Sequence, residues 1–199
     1  MKSFARVLLA GSIVALGFTA PVWATPADDA RAGYEADQKG DYATAMKLYQ
    51  TAAAGGDAYA MFNIGAIYFD GKGVERSYIL AMKWYKQAAE KGYAAAQAVM
   101  GSMYEQGQGV KRDMAEASKW YTMAANQGVL QSQNALGVIY MTGDGAKMQP
   151  NLEQAYYWFS IAAKQDASAT ARAGRVKGKL QPAQLADLDK KVAAFKPKT

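Results

Sequence analysis

Three tyrosines, Tyr68, Tyr104 and Tyr140, stand 36 residues apart, and the residues around them keep the same step. Gly65, Gly101 and Gly137 share it, as do Gly71, Gly107 and Gly143, and then Gly73, Gly109 and Gly145. Further on come Ala81, Ala117 and Ala155, the pairs Trp84-Tyr85, Trp120-Tyr121 and Trp158-Phe159, and the double alanines Ala88-Ala89, Ala124-Ala125 and Ala162-Ala163. The last unit carries two extra residues around Met148 to Pro150, which moves its second half along by two. A period of this size restricts a chain to stacked supersecondary units, because no unit can bury its apolar face without a neighbour.

Each unit reads as two helices. The first is amphipathic and ends at paired glycines such as Gly71 and Gly73, which can adopt positive φ. A short loop leads to a capping residue, Ser77, Asp113 or Asn151. Glu116 and Gln154 follow two of these caps by three residues, the spacing of a capping box. Gly92 and Gly128 end the second helix. Small residues such as Gly65 and Ala81 mark where the two helices cross, and Trp84 and its equivalents are expected to fill the space between units. A shorter unit precedes these three, with Gly33, Gly40, Ala45, Tyr49 and Ala52 in register and Asp41 as its cap. Gly33 to Ala45 is 12 residues where Gly65 to Ala81 is 16, yet the step from Ala45 to Gly65 equals that from Ala81 to Gly101, at 20. The first unit therefore lacks only the long loop between its helices.

The succession Gly, Tyr, Gly-x-Gly, Ala, Trp-Tyr, Ala-Ala, Gly resembles the Sel-1-like repeat, a relative of the tetratricopeptide repeat, over about residues 28 to 166. The first unit is more similar to a plain tetratricopeptide repeat. The resemblance implies an all-α fold, a right-handed α-solenoid of helix-turn-helix repeats, and a role as adaptor, assembly factor or regulator. It also implies export and envelope partners, as is common for similar bacterial proteins. Some members staple each helix pair with cysteines; this chain has none, so what is particular to that branch does not carry over. The expected organisation is a cleavable signal peptide over 1–24, a tetratricopeptide-like repeat over 25–57, three Sel-1-like repeats over 58–92, 93–128 and 129–166, and a basic helical cap and tail over 167–199.

The export expectation also rests on residues. Lys2 and Arg6 precede an apolar run from Val7 to Val22, and Val22-Trp23-Ala24 suits a signal peptidase cutting after Ala24. The run is shorter than the roughly 20 residues a membrane span needs, so no stable span is expected after cleavage, and the protein is expected to be periplasmic or secreted. With neither cysteine nor histidine in the chain, the usual zinc ligands and the Ser-His and Cys-His nucleophile pairs are missing. No cofactor, no metal and no catalytic residue is expected. Residues 25–166 carry 13 Lys and Arg against 15 Asp and Glu, whereas 167–199 carry 8 against 2. The basic character is thus a property of the tail, where an acidic partner or an anionic surface is a candidate contact; nucleic acid is not. In the tail, Ala169 to Leu180 and Pro182 to Phe195 read as two helices. Leu180, Leu185, Leu188, Val192 and Phe195 are spaced to cover the open end of the stack, and Lys196 to Thr199 is expected to fray.

Several features invite a site and yield to simpler explanations. The tryptophans recur once per unit, as packing requires. The Gly71-Lys72-Gly73 loop lacks the Lys-Ser/Thr of a P-loop and recurs without its lysine at Gly107-Gln108-Gly109. Glu90, Glu105, Glu116 and Glu153 fall in scattered positions, and nothing in the sequence brings two together as a carboxylate pair.

Recognition is expected instead on the concave face, lined by the first helices. Positions there that vary between units are free of scaffold duty. In the first unit they are Arg31, Tyr34 and Asp37; in the second, Tyr59, Phe62, Asn63 and Phe69. The third contributes Ser102, Glu105 and Gln106, and the fourth Gln131, Asn134 and Met141. The aromatic group beside Asn63 and Arg31 suits a peptide or protein segment. A competing explanation has Phe62 or Phe69 packing into the neighbouring unit. The function expected is a periplasmic protein-binding scaffold or regulator, not an enzyme. An immunity-type partner neutralising an exported toxin and an envelope enzyme acting on cell-wall sugars stay open as alternatives.

Overall fold

The computed structural model describes residues 24–144 and 148–198. The expected signal peptide, apart from Ala24, lies outside them, as do Gly145 and Thr199. Ten helices fill the described chain: α1 (Pro26–Gln38), α2 (Tyr42–Ala54), α3 (Ala58–Asp70), α4 (Tyr78–Glu90), α5 (Ala94–Gln106), α6 (Met114–Asn126), α7 (Leu130–Thr142), α8 (Leu152–Ala162), α9 (Ala167–Lys177) and α10 (Pro182–Ala194). No strand occurs among the described residues. Helices pair as α1–α2, α3–α4, α5–α6 and α7–α8, and the second helix of each pair packs on the first of the next, which makes an α-solenoid. None of these helices is long and apolar enough to cross a membrane.

The repeated residues account for this geometry. Ala45, Ala81, Ala117 and Ala155 are wholly buried at the crossings. Opposite them, an aromatic ring of each second helix lies flat on a glycine of the first: Tyr49 on Gly33, Tyr85 on Gly65, Tyr121 on Gly101 and Phe159 on Gly137. A Cβ at Gly65 would come within 2.7 Å of the Tyr85 ring. The tryptophans have a lesser part than expected: Trp158 is buried, but Trp84 and Trp120 are only half-buried against the core. The residue that follows each one fills the deepest space.

Loop closure follows a rule that the sequence did not disclose. Ser77, Asp113 and Asn151 cap their helices as expected, accepting from Leu80, Glu116 and Gln154 backbone N–H groups. The reciprocal arm of a capping box does not form at Asp113, where Glu116 pairs with Lys119. The cap's own N–H is already committed. Ser77 donates to the Tyr68 carbonyl at 2.9 Å, Asp113 to that of Tyr104 at 3.0 Å, and Asn151 to that of Tyr140. The repeating tyrosines thus mark where each long loop is tied back to its helix. Gly71 terminates α3 at φ +75, while Gly73 (φ +67) lets the loop approach Tyr42 of the preceding unit, where a Cβ would come within 2.8 Å. The two glycines of the pair therefore have different duties, one within a unit and one between units.

At the far end, α9 and α10 both pack on α8. Leu188 is buried, and Leu180, Leu185, Val192 and Phe195 pack against the core beside it, as the spacing predicts. The described part of the last segment, Lys196 to Lys198, is not frayed: the Lys198 N–H donates to the Asn126 carbonyl at 2.8 Å, and Pro197 lies against Gly128. A Gly-ended helix leaves room for an incoming chain, and the tail fills it. These contacts carry the tail along α8 to the end of α6, on the layer of second helices.

Gly65→Ala should therefore cost about 2 kcal/mol of stability, the scale of an overpacked core. Gly174→Ala, in α9 with nothing near its Cβ position, should be neutral or stabilising by about 0.5 kcal/mol. Equilibrium denaturation of the two variants checks the contrast.

Candidate functional site: the concave face

The rings seated on the glycines reach from the second helix of each pair to the first. In the third unit the tip is engaged. The Tyr121 hydroxyl donates to Oε2 of Glu105, four residues after Gly101, at 2.7 Å. Burial, followed by this carboxylate, pushes the Tyr121 phenol far above its ordinary value. In the second unit Tyr85 is also pushed up, by burial and then by Asp70. In the first unit Tyr49 is wholly buried and its hydroxyl has no hydrogen-bond partner. Burial raises it, and the charges it senses are those of Tyr59, Asp37 and Tyr34. The fourth unit has Phe159 in place of a phenol, with the Arg172 guanidinium over the ring at 5.8 Å.

The predicted aromatics of the first two units form one connected run. Tyr34 meets Tyr59 at 6.5 Å between ring centroids, and Tyr59 meets Tyr93 at 6.3 Å. Phe62 lies 5.2 Å from Tyr93 and 5.3 Å from Tyr85. Phe69 lies 5.1 Å from Tyr78 and 6.3 Å from Tyr85. Such tilted and edge-on contacts are the favoured aromatic geometries. Phe62 and Phe69 are half-buried and packed, whereas Tyr34 is 44% exposed at the open end of the run. Tyr93 belongs to this surface and Tyr49 is buried beside it, although the sequence did not single either out for recognition. Tyr93 was legible, since Asp57, Tyr93 and Val129 occupy one repeat position and vary. Tyr49 was not, because its ring is scaffold and only its tip is distinctive.

The remaining candidates divide by their surroundings. Arg31 pairs with Asp28 at 3.4 Å and stays exposed. Asn63 donates to the Tyr59 carbonyl at 2.8 Å, and Gln106 to the Ser102 hydroxyl at 2.8 Å. Gln131 is exposed. Asn134 is held between Asp166 at 2.9 Å and Arg172 at 3.3 Å, and Met141 packs against the cluster of Ala155, Tyr156, Phe159, Ala173, Val176 and Leu188. Thus α9 and its cap engage part of the fourth unit's share of the surface. The four glutamates stay apart in their bonding: Glu90 with Lys86, Glu105 with Tyr121, Glu116 with Lys119, Glu153 with Gln184. Among the described residues no group of three carboxylates is placed to hold a metal ion.

The glycine-seated ring, the buried crossing alanine and the tied loop recur in every full unit, and a family model for the Sel1 repeat matches residues 30–57, 58–93, 94–129 and 130–166. The chain belongs to the Sel1 repeat family. Its first unit, despite the short loop, falls within the match. Solved Sel1 structures agree. A protective antigen present in uropathogenic Escherichia coli strains, displaying an SLR fold, is 32% identical, with a TM-score of 0.67 over 82% of this chain and 36% of its own. A Sel1 repeat protein from Oxalobacter formigenes is 36% identical, with a TM-score of 0.64 over 74% of this chain and 58% of its own. This Sel1 chain therefore spans about a third and somewhat over half of those two proteins. Nothing among the curated proteins matches it. Sel1 repeat proteins generally mediate protein–protein interaction and are typically non-catalytic scaffolds.

The phenols give a direct test of these seated rings. Tyr121→Phe leaves Glu105 without its donor and should lower stability by about 1 to 2 kcal/mol. Tyr49→Phe removes a buried hydroxyl that bonds to nothing and should be neutral or stabilising by up to about 1 kcal/mol. Thermal unfolding of both variants reads the difference in sign.

Proposed function

We propose that this Sel1 repeat protein is a periplasmic scaffold or regulator that recognises a partner protein or peptide on its concave face. The observation that carries the proposal is the aromatic run from Tyr34 through Tyr59 to Tyr93. It lies on first-helix positions and a helix start that the repeat leaves free to vary, and it ends in an exposed ring. Rigid aromatic groups supply large contact area at low conformational cost, which suits an anchor for a partner segment. The partner site is centred on the first two units, with Arg31, Asp37 and Asn63 as its polar rim. Ser102, Glu105, Gln106 and Gln131 extend it, and Phe62 and Phe69 support it from beneath. The protein has no catalytic role in this proposal, in keeping with its family. Export is supported by the amino-terminal sequence alone, and the exposed cations of the tail, such as Arg175, Lys179 and Lys190, are free to meet an acidic partner or an anionic surface.

Two measurements test this. The purified mature chain, used as bait on an envelope fraction, should retain a specific protein that then binds it when both are pure. The double variant Tyr34→Ala, Tyr59→Ala should still fold and should lose that binding at least about tenfold, since central aromatic anchors carry about 2 kcal/mol or more each. Undiminished binding would remove the concave face from consideration. Separately, cell fractionation with amino-terminal sequencing should find the chain outside the cytoplasm and starting at Thr25; a cytoplasmic chain starting at Met1 would end the export proposal.

A further inference from the structure

Stacking of repeats does not account for one arrangement in the first unit. Four polar residues are grouped there: Tyr34 and Asp37 lie one turn apart on α1, the Tyr59 ring is 6.5 Å from that of Tyr34, and the Tyr49 ring is seated on Gly33. Tyr49 senses all three of the others, and Tyr59 senses both Tyr34 and Asp37. Asp37 stands four residues after Gly33, as Glu105 stands four after Gly101. Glu105 reaches its phenol. Aspartate is one methylene shorter, and the Tyr49 hydroxyl is left buried without a partner. The unbonded hydroxyl is closed to solvent, while Asp37 and Tyr59 are half-buried and Tyr34 is 44% exposed.

The chemistry of these groups selects the ligand. A carboxylate accepts hydrogen bonds, and tyrosine faces attract cations through their ring quadrupole. The Tyr49 hydroxyl is closed to solvent and bonded to nothing, so a ligand N–H reaches it only where the groups above it part. Asp57, the cap of α3, adds negative potential at Tyr59 and Tyr93. Two cations nearby are paired with other carboxylates: Lys72, which senses Asp37, is bonded to Asp70 at 3.2 Å, and Arg31 to Asp28 at 3.4 Å; the Lys91 ammonium lies by Gly56, on the Asp57 side. An anion would face Asp37 and Asp57 together. A purely apolar group would bury the Asp37 carboxylate without compensation. A lone carboxylate supplies too few oxygens for a divalent metal. Resting on the concave-face proposal above, we infer that Tyr34, Asp37, Tyr49 and Tyr59 form a receptor for a lysine or arginine side chain of the partner segment. Tyr49 then has a purpose that its burial otherwise obscures: its hydroxyl is retained for the ligand and contributes nothing to the fold.

The test uses three blocked tripeptides, acetyl-Ala-Lys-Ala-amide, acetyl-Ala-Arg-Ala-amide and acetyl-Ala-Gln-Ala-amide, titrated into the purified chain and followed by NMR. The lysine or arginine peptide should shift the signals of Tyr34, Asp37 and Tyr59 saturably, and more weakly as salt is raised. The glutamine peptide should not. Asp37→Asn should weaken binding about tenfold. Tyr49→Phe should weaken it about threefold while melting no lower than the parent chain, which separates a ligand role from a structural one. Equal binding of the glutamine peptide, no shift with any peptide, or an Asp37→Asn variant that binds like the parent would each overturn the inference. Partner capture distinguishes the two proposals. If Asp37→Asn keeps the partner while Tyr34→Ala, Tyr59→Ala loses it, the cation receptor is wrong and the concave face stands. If both keep it, the concave face is wrong, and with it the assignment of this receptor to a partner.

Discussion

The seating of an aromatic ring on a bare glycine holds this molecule together. In each of the four pairs the first helix offers a glycine and the second a phenyl ring, so the two backbones approach as closely as a ring's thickness permits. Crossing alanines, wholly buried, keep the opposite side of the contact equally narrow. Because interiors are close-packed, a single methyl at the glycine has nowhere to go without moving a helix. The close crossing also decides where the ring's tip emerges. A tyrosine seated in this way carries its hydroxyl across to the first helix, so one side chain serves the scaffold with its ring and lies beneath the proposed binding surface with its tip.

That dual character explains why the surroundings of the ring tips differ between units although the seating does not. Tyr121 finds Glu105, Tyr85 lies near Asp70, Tyr49 has no bonded partner, and Phe159 gives up the hydroxyl altogether. For the three tyrosines the difference lies in what stands four or five residues after the glycine (Glu105, Asp70, Asp37), positions the stack does not constrain; in the fourth unit it is the ring itself that changes. Unsatisfied buried polar groups are rare because they cost free energy; among the described residues the Tyr49 hydroxyl, Ser132 Oγ and Gln133 Oε1 are of this kind. Gln97 and Gln133, buried one repeat apart, donate their amide N–H groups to the carbonyls of Ala89 and Ala125, and side-chain caps serve the starts of α2, α3, α4, α6, α8 and α9.

The two ends of the stack are handled differently. At the first, Thr25 caps α1 in a full capping box with Asp28, and the pair α1–α2 leaves Tyr34 in the open. At the other, α9 and α10 close over α8, and Tyr156 donates to Asp189 at 2.7 Å to hold α10 in place. Solenoids need such capping because their terminal units would otherwise expose an apolar face. One consequence is an asymmetric concave surface, aromatic and accessible near its start and partly consumed by α9 near its finish.

What could be read from the residues alone was whatever repeats. The step of 36, the helix pairs, the terminating glycines, the caps at Ser77, Asp113 and Asn151 and the covering leucines of α10 are local or periodic, and period and composition suffice to locate them. The tertiary structure alone decided the rest, because it depends on reach. Which of two adjacent aromatics goes deepest follows from the crossing geometry, and so Tyr85 and Tyr121 displace Trp84 and Trp120 from that role. Asn134 is engaged by a helix and its cap that lie outside the repeating pattern. Lys198 is tied to Asn126 across more than 70 positions of chain. Whether the Tyr49 hydroxyl is satisfied turns on one methylene, the difference between Asp37 and Glu105, and that matters only once both rings are seated and the distance they must span is set.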